Sequence, residues 1–315
     1  MRVLILSDGD DIGGVGIGIV EAFRKYAPDW EVRFARRRDN YIGYPADLEW
    51  PRGDEGAGRV VAALHDRADV VHHFQRFVAM SGWQSKPKVM HHHGTIFRRG
   101  SASLLQAAKQ HRARMVASSL DLVAYDPATI THVPNPYAHF PMSWSDRSSL
   151  ERNPLRVAHA PTNRPGKSTD VFIKAFESFS AEHHATLDVI ERQTWRGCLE
   201  RKSQAHLYYD QVLVGYGNNA IEAWLMGIPV IAGVDPARAQ AMNQPIPATT
   251  KHLMLSRWGR LPFYEASEST IVDALRAMTD PDVYRRYAEI GHEHATTWHD
   301  GRATVEALRK VYESA

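Results

Sequence analysis

The sequence predicts an α/β protein of two doubly wound domains facing a cleft, each domain a parallel sheet with helices on both faces. Three observations carry that expectation. Short apolar runs alternate with helical stretches along the chain. The alternation lapses over residues 141–154, where Ser, Arg and Asp gather, and restarts at Leu155. A length of 315 residues suffices for two domains of ordinary size.

The elements follow in order. Val3-Leu4-Ile5-Leu6 reads as a buried strand, Val15 to Tyr26 as a helix and Glu31 to Ala35 as a second strand. Gly58 to His65 is helical in pattern, and Asp69 to His72 begins a strand. Lys88 to His92 is a strand, Ser103 to His111 a helix, Met115 to Ser118 a strand, and Thr131-His132-Val133 ends at Pro134-Asn135-Pro136. After the lapse come strand Leu155 to Ala158, helix Thr169 to Phe179, strands Thr186 to Ile190 and Gln211 to Val214, helix Ala220 to Met226 and strand Val230 to Ala232. Thr270 to Met278 and Asp282 to Ala295 are helical, and Arg302 to Tyr312 places Val305, Leu308 and Val311 on one face. The expected domains are residues 1–145 and 154–295, with 296–315 a helix that packs back towards the first domain. Asp39 to Pro51 and Arg192 to Ser203 are expected to be loops that shape pockets.

Composition narrows the function classes. A hydrophobic share of 43% and a charged share of 23% fit a globular protein. A net charge of +2 sets up no broad basic field, so general nucleic-acid binding gains no support. Cys198 is the single cysteine, which excludes an internal disulfide and suggests a cytoplasmic setting. No apolar run has the length of a membrane span, and the opening MRVLILSDGDD is too short and too acidic for a signal peptide.

The most informative stretch is Val214 to Val230. Gly215-Tyr216-Gly217-Asn218-Asn219 is a glycine-punctuated loop that opens a helix holding one carboxylate, Glu222. Free backbone N–H groups and the positive helix end meet there, and an anion sits well at such a point. A carboxylate one turn into the helix can accept from vicinal sugar hydroxyls, and phosphate beside ribose means a nucleotide. The bland alternative is an ordinary loop-helix-strand unit. Gly13-Gly14-Val15-Gly16 can cradle a donor phosphate or an acceptor hydroxyl, or be a tight strand-to-helix turn. It misses the dinucleotide fingerprint, because Ile19 stands at the third glycine position. Asp8, Asp10 and Asp11 suit capping of the following helix better than metal binding. His91-His92-His93 cannot all face one metal from a strand, since neighbours point to opposite faces. His72-His73 and His183-His184 read as structural or surface residues, and Arg36-Arg37-Arg38 as a solvated loop or a phosphate-binding run.

Four segments in order resemble the retaining, nucleotide-sugar-dependent GT-B glycosyltransferases of the group 1 (family 4-like) type. They are Asp11-Ile12-Gly13-Gly14-Val15-Gly16, His91-His92-His93-Gly94, His132-Val133-Pro134-Asn135-Pro136, and Gly215 to Val230. One position departs from the family pattern: the second glutamate, eight residues before Glu222, is replaced by Val214. The resemblance implies two Rossmann-like domains and a hexosyltransferase-like enzyme, with retention of configuration. A nucleotide-diphosphate sugar serves as co-substrate, with no metal and no separate cofactor. It implies that Gly14, Gly16, Gly217, Asn218, Asn219 and Glu222 contact the donor, with Glu222 on the ribose. Arg164 and Lys167 grip the diphosphate and stabilise its growing charge. His93 meets the sugar or the acceptor from the first domain. The acceptor, whether glycan, small molecule, protein or modified DNA, is left open. Outside this expectation stand an NADPH-dependent reductase, a nucleotide or sugar binding protein without transfer activity and, within the same enzyme class, a DNA-base glycosyltransferase.

Overall fold

Arg2–Ser7 forms β1, the strand around which the first sheet is laid. Glu31–Arg36 (β2) and Leu48–Glu49 (β3) extend the sheet on one side. Val70–Phe74 (β4), Lys88–His92 (β5), Arg114–Ala117 (β6) and Ile130–His132 (β7) extend it on the other. The strand order is β3-β2-β1-β4-β5-β6-β7, and every pairing is parallel. The order reverses between β1 and β4, the switch point beyond whose strand ends ligands bind in doubly wound folds. Helices Val15–Tyr26 (α1), Glu55–Arg67 (α2), Gly94–Gln110 (α3) and Leu120–Val123 (α4) make the crossovers. All five residues of β4 and of β5 are buried, as a sheet covered on both faces requires. These two strands are VVHHF and KVMHH, so histidines occupy core positions.

The computed structural model describes residues 1–9, 13–37, 41–138, 140–145, 147 and 152–315. They divide into two compact units, Met1–His139 with Trp298–Ala315, and Phe140–Thr297. The second unit carries Leu155–His159 (β8), Ala185–Val189 (β9), Leu207–Tyr209 (β10), Val214–Gly215 (β11), Val230–Val234 (β12) and Tyr264–Glu265 (β13). The order is β11-β12-β10-β8-β9, with β13 also pairing β12. Only β11 runs antiparallel to its neighbour among these described pairings. Its helices are Thr169–Ser180 (α5), Trp195–Lys202 (α6), Asn218–Leu225 (α7), Pro236–Ala241 (α8), Thr250–Trp258 (α9), Ile271–Ala277 (α10) and Pro281–Trp298 (α11). The chain then returns to the first unit as Arg302–Glu313 (α12). There Val305, Leu308 and Tyr312 join Val3, Ile19, Phe23 and Phe34 in one core.

Some expectations need correction. Arg192 to Ser203 is not a loop: Thr194 caps α6 by accepting from the Gly197 N–H at 3.2 Å. The helix was hidden because Lys202 fills the inward position where its pattern calls for an apolar residue. The strand expected over Gln211 to Val214 lies earlier, as β10, and Val214 begins the short antiparallel β11 instead. Within the other expected loop, Asp39 to Pro51, Leu48–Glu49 forms β3. Helix α3 starts nine residues before the expected Ser103 and kinks at Gly100, whose φ and ψ are −126° and 23°. No helix among the described residues is long and apolar enough to cross a membrane.

Leu308 is fully buried, so Leu308→Ala should cost about 2–5 kcal/mol of stability, measured by urea denaturation. A change under about 0.5 kcal/mol would mean that α12 does not hold the first core together.

Candidate functional site

The two units present separate groups of candidate residues. In the second unit they gather where β8 and β10 end and α7 begins. The loop after β8 runs through Asn163 and Arg164 into a 3-10 turn at Pro165–Lys167. The Asn163 side chain accepts from the Gly166 N–H at 3.2 Å, and Gln244 donates to the Gly166 carbonyl at 3.3 Å. This loop delivers Lys167, whose Nζ donates to Asp210 Oδ1 at 2.5 Å. Asp210 follows β10 directly and is fully buried. Its other oxygen accepts from the Gly217 N–H at 2.5 Å. A Cβ placed on Gly217 would lie 3.2 Å from Lys167 Nζ, so the ammonium stands over the first turn of α7. An ammonium, a helix N-terminus and a carboxylate therefore share one corner. The carboxylate sits as an anion at the positive helix end and aims the lysine.

The rest of α7's first turn is anchored from two sides. Asn219 Nδ2 donates to the Ala160 carbonyl at 3.0 Å, and Lys202 Nζ donates to Asn219 Oδ1 at 2.8 Å. Asn218 is the first residue of α7, beside Gly217. Glu222 is 2% exposed: Oε1 accepts from Trp195 Nε1 at 2.9 Å and Oε2 from Lys202 Nζ at 2.5 Å. Lys202 is itself fully buried and lies over the Tyr208 ring at 4.9 Å. So enclosed, Glu222 acts as the counter-charge of a buried lysine. Arg164 lies apart from Lys167 in its partners, pairing with Asp170 at 2.6 Å and Glu191 at 3.1 Å. Val214, at the position of the family's second glutamate, is buried with Leu213, Ala239 and Ile246. His159 closes β8 with Nδ1–H donating to the Tyr209 carbonyl at 2.9 Å and Nε2 accepting from Thr169 at 2.8 Å. Burial lowers its pKa to about 4.

In the first unit Gly14 caps α1 at φ 65°, and a Cβ there would meet the Tyr44 ring at 2.5 Å. A Cβ on Gly16 would meet the Phe34 ring at 2.5 Å, so this glycine lets α1 press against β2. His93 follows β5 and caps α3. Its ring stacks on His91 at 4.2 Å, while His92 faces the other way onto Phe97 at 4.2 Å, the alternation expected of a strand. His72, His73, His91 and His92 are all buried. Desolvation pushes His93 and His73 down to about 3 and His92 to about 4, and holds His72 and His91 well below the ordinary range.

The neighbouring charged residues are largely structural. Arg36 is 2% exposed and pairs with Glu49 at 2.6 Å, so it is not part of a solvated loop. Arg37 donates to Asp8 at 2.7 Å and lies over Trp50. Asp10, Asp11 and Arg38 lie outside the described residues. Among the described residues no group of three or more His, Cys, Asp or Glu is placed to hold a metal ion. Asp210, Lys202 and Trp195 were missed from sequence. A carboxylate just past an apolar strand is the signal for Asp210, and the strand it follows lies four residues before the expected one.

No family profile and no curated protein matches the chain. Solved structures do match, over almost its full length. An alpha-glucosyltransferase in complex with UDP superposes with a TM-score of 0.64 at 12% identity, covering 99% of this chain and 100% of the other. Anabaena Alr3699/HepE in complex with UDP-glucose gives 0.62 at 13%, covering 99% and 100%. A putative UDP-N-acetylglucosamine 2-epimerase from Listeria monocytogenes gives 0.58 at 13%, covering 100% and 97%.

Two outcomes are expected. Lys202→Ala should destabilise by about 3–5 kcal/mol, because it strands Glu222 as a buried charge; a loss below about 1 kcal/mol in denaturant titration would contradict the pairing. The buried histidines should make the protein acid-labile. Their folded pKa values lie below the unfolded value of about 6.5, so the unfolded chain binds more protons as pH falls through that value. Stability should be full above about pH 6.5 and decline towards pH 4, by up to about 1.4 kcal/mol per pH unit for each such group. A urea midpoint equal at pH 7.5 and pH 5 would contradict this.

With its two doubly wound sheets and these neighbours, the chain has the fold of the GT-B glycosyltransferases.

Proposed function

We propose that this protein is a glycosyltransferase that moves a sugar from a nucleoside-diphosphate donor to an acceptor hydroxyl. The corner formed by Lys167, Gly217 and Asp210 carries the proposal. It lies beyond the carboxyl ends of parallel strands, where doubly wound sheets bind ligands. It combines a lysine with the N-terminus of an eight-residue helix, the two devices that bind phosphate without a metal. The solved structures with the same fold include complexes with UDP and with UDP-glucose, which makes uridine diphosphate the first nucleotide to test.

In the reaction the bond from the sugar's anomeric carbon to the diphosphate oxygen breaks, and its electron pair stays with the diphosphate. The Lys167 ammonium and the N–H groups at Asn218 and Asn219 take up the charge that develops there, while the Gly217 N–H stays with Asp210. Arg164 adds a positive charge to the same loop, and Glu222 is assigned to the ribose hydroxyls. In the first unit the missing side chains of Gly14 and Gly16 make room for the Tyr44 and Phe34 rings, and His93 is assigned to a hydroxyl-bearing ligand. Transfer proceeds without a metal and with retention of configuration. The acceptor is defined here only by its hydroxyl. Solved structures of the same fold also include an alpha-glucosyltransferase bound to DNA, so duplex DNA belongs in the acceptor screen.

Binding of UDP-glucose should be measurable by calorimetry. Lys167→Ala should lower the rate of donor consumption more than it lowers donor affinity, by about tenfold or more in kcat, because the charge is greatest in the transition state. Activity should survive excess chelator. Loss of activity with chelator and its return with magnesium or manganese would contradict the metal-free assignment, and equal binding of UDP-glucose and glucose would contradict the diphosphate site.

A further inference from the structure

His159 joins the two sides of the Lys167–Asp210 ion pair through the backbone of the second unit. It is the last residue of β8 and is fully buried. Its Nδ1 lies 2.9 Å from the Tyr209 carbonyl, which belongs to the peptide that leads into Asp210. Its Nε2 lies 2.8 Å from the hydroxyl of Thr169, two residues past Lys167. One ring thus bridges the backbone before the carboxylate and the segment after the ammonium. The Phe172 and Tyr209 rings meet it at steep angles, with centroids at 5.4 and 5.1 Å, and stack on each other at 3.9 Å. A ring so enclosed has little freedom to turn.

The protons of this bridge have a single arrangement. The Tyr209 carbonyl only accepts, so Nδ1 carries a proton. Burial disfavours the charged ring and lowers its pKa to about 4, so at neutral pH the ring holds that proton alone. Nε2 therefore accepts, and the Thr169 hydroxyl donates to it. The hold on Thr169 reaches Lys167 through the chain. The Arg164 carbonyl accepts from the Lys167 N–H at 3.2 Å and from the Thr169 N–H at 3.1 Å. Ser168, between them, has φ 50° and ψ 34°, a left-handed conformation that is costly for a residue with a side chain. Its hydroxyl donates to Glu268 at 3.3 Å, and Ser168 and Thr169 are both buried. The turn that presents Lys167 is thus held by contacts outside itself, and the His159 bond ties it to the strand that ends just before Asp210.

We propose that His159 is a positioning residue for Lys167: as a neutral Nδ1–H imidazole it struts the Thr169 end of the lysine's turn against the Tyr209–Asp210 peptide, and so sets where the ammonium sits. The effect on catalysis rests on the transferase assignment, whereas the strut does not. The ring's hydrogen bonds go to the Tyr209 backbone and the Thr169 side chain, so it acts through Lys167 rather than on a substrate.

The test has a ligand-free arm and a kinetic arm, both on the full chain. Brief acylation with acetic anhydride, read by mass spectrometry, compares Lys167 with the exposed Lys310 of the same molecule. Thr169→Val removes the hydroxyl that donates to His159, and His159→Phe removes both bonds while keeping a ring. Each should raise the relative labelling of Lys167 about threefold or more, the scale of one lost hydrogen bond. Thr169→Ser, which keeps the hydroxyl, should return it to the parent value. Histidine-selective 15N labelling with multiple-bond 1H–15N correlation should show Nδ1–H at His159, whose signals are those absent from His159→Phe. In consumption of UDP-glucose, Thr169→Val should lower kcat about two- to tenfold with KM changing less, and add nothing further in a Lys167→Ala background. Nε2–H at His159, or unchanged Lys167 labelling in Thr169→Val, would overturn the proposal. So would raised labelling with unaltered kcat. If the parent protein neither binds nor consumes UDP-glucose while the labelling rises as expected, the transferase assignment fails and the strut stands. Should His159→Phe not fold, Thr169→Val carries both arms, and the Nε2 signal that moves on loss of the Thr169 hydroxyl identifies His159.

Discussion

The ion pair between Lys167 and Asp210 is the constraint on which the candidate donor site depends. Asp210 is fully buried, so its charge needs partners, and it has two: the Lys167 ammonium and the Gly217 N–H. One carboxylate thereby fixes a flexible lysine from the loop after β8 against the start of α7. A lysine alone on that loop would spread over many rotamers. Held by Asp210, it is preorganised at a helix N-terminus, the place that the proposed donor diphosphate would occupy.

A second buried pair, Lys202 with Glu222, plays the corresponding part beneath the helix. It ties α6 to α7, and through Asn219 it reaches the end of β8. Two ion pairs and one helix terminus thus set the geometry of one corner of the second sheet. The first unit uses a different device, a run of neutral histidines inside the sheet. There β4 and β5 bring imidazoles to core positions that apolar side chains usually fill, and Phe74 packs against three of them.

Much of the fold was legible in the sequence because its strands are buried on both faces and read as apolar runs. Strand β5 and helix α12 lie where the pattern put them, within one residue. The pattern failed where polar residues are buried. Lys202 masked α6, and Asp210 was missed because the strand before it carries two tyrosines, Tyr208 and Tyr209, that read weakly as core. Lys167, Gly217 and Glu222 were named from their motifs, but not their partners, since the partners come from segments 43, 7 and 20 to 27 residues away. Glycine motifs had the same limit. Gly14 and Gly16 stood out, yet only the packing of Tyr44 and Phe34 against them explains why a side chain is excluded there.

The donor's diphosphate is proposed to lie at the Lys167 corner. A crystal structure of the protein with UDP tests it most directly. Phosphate oxygens are expected within hydrogen-bond distance of Lys167 Nζ and of the backbone N–H groups at the start of α7. A diphosphate bound elsewhere, for example against Gly14 and Gly16 alone, with Lys167 still paired only to Asp210, would contradict it.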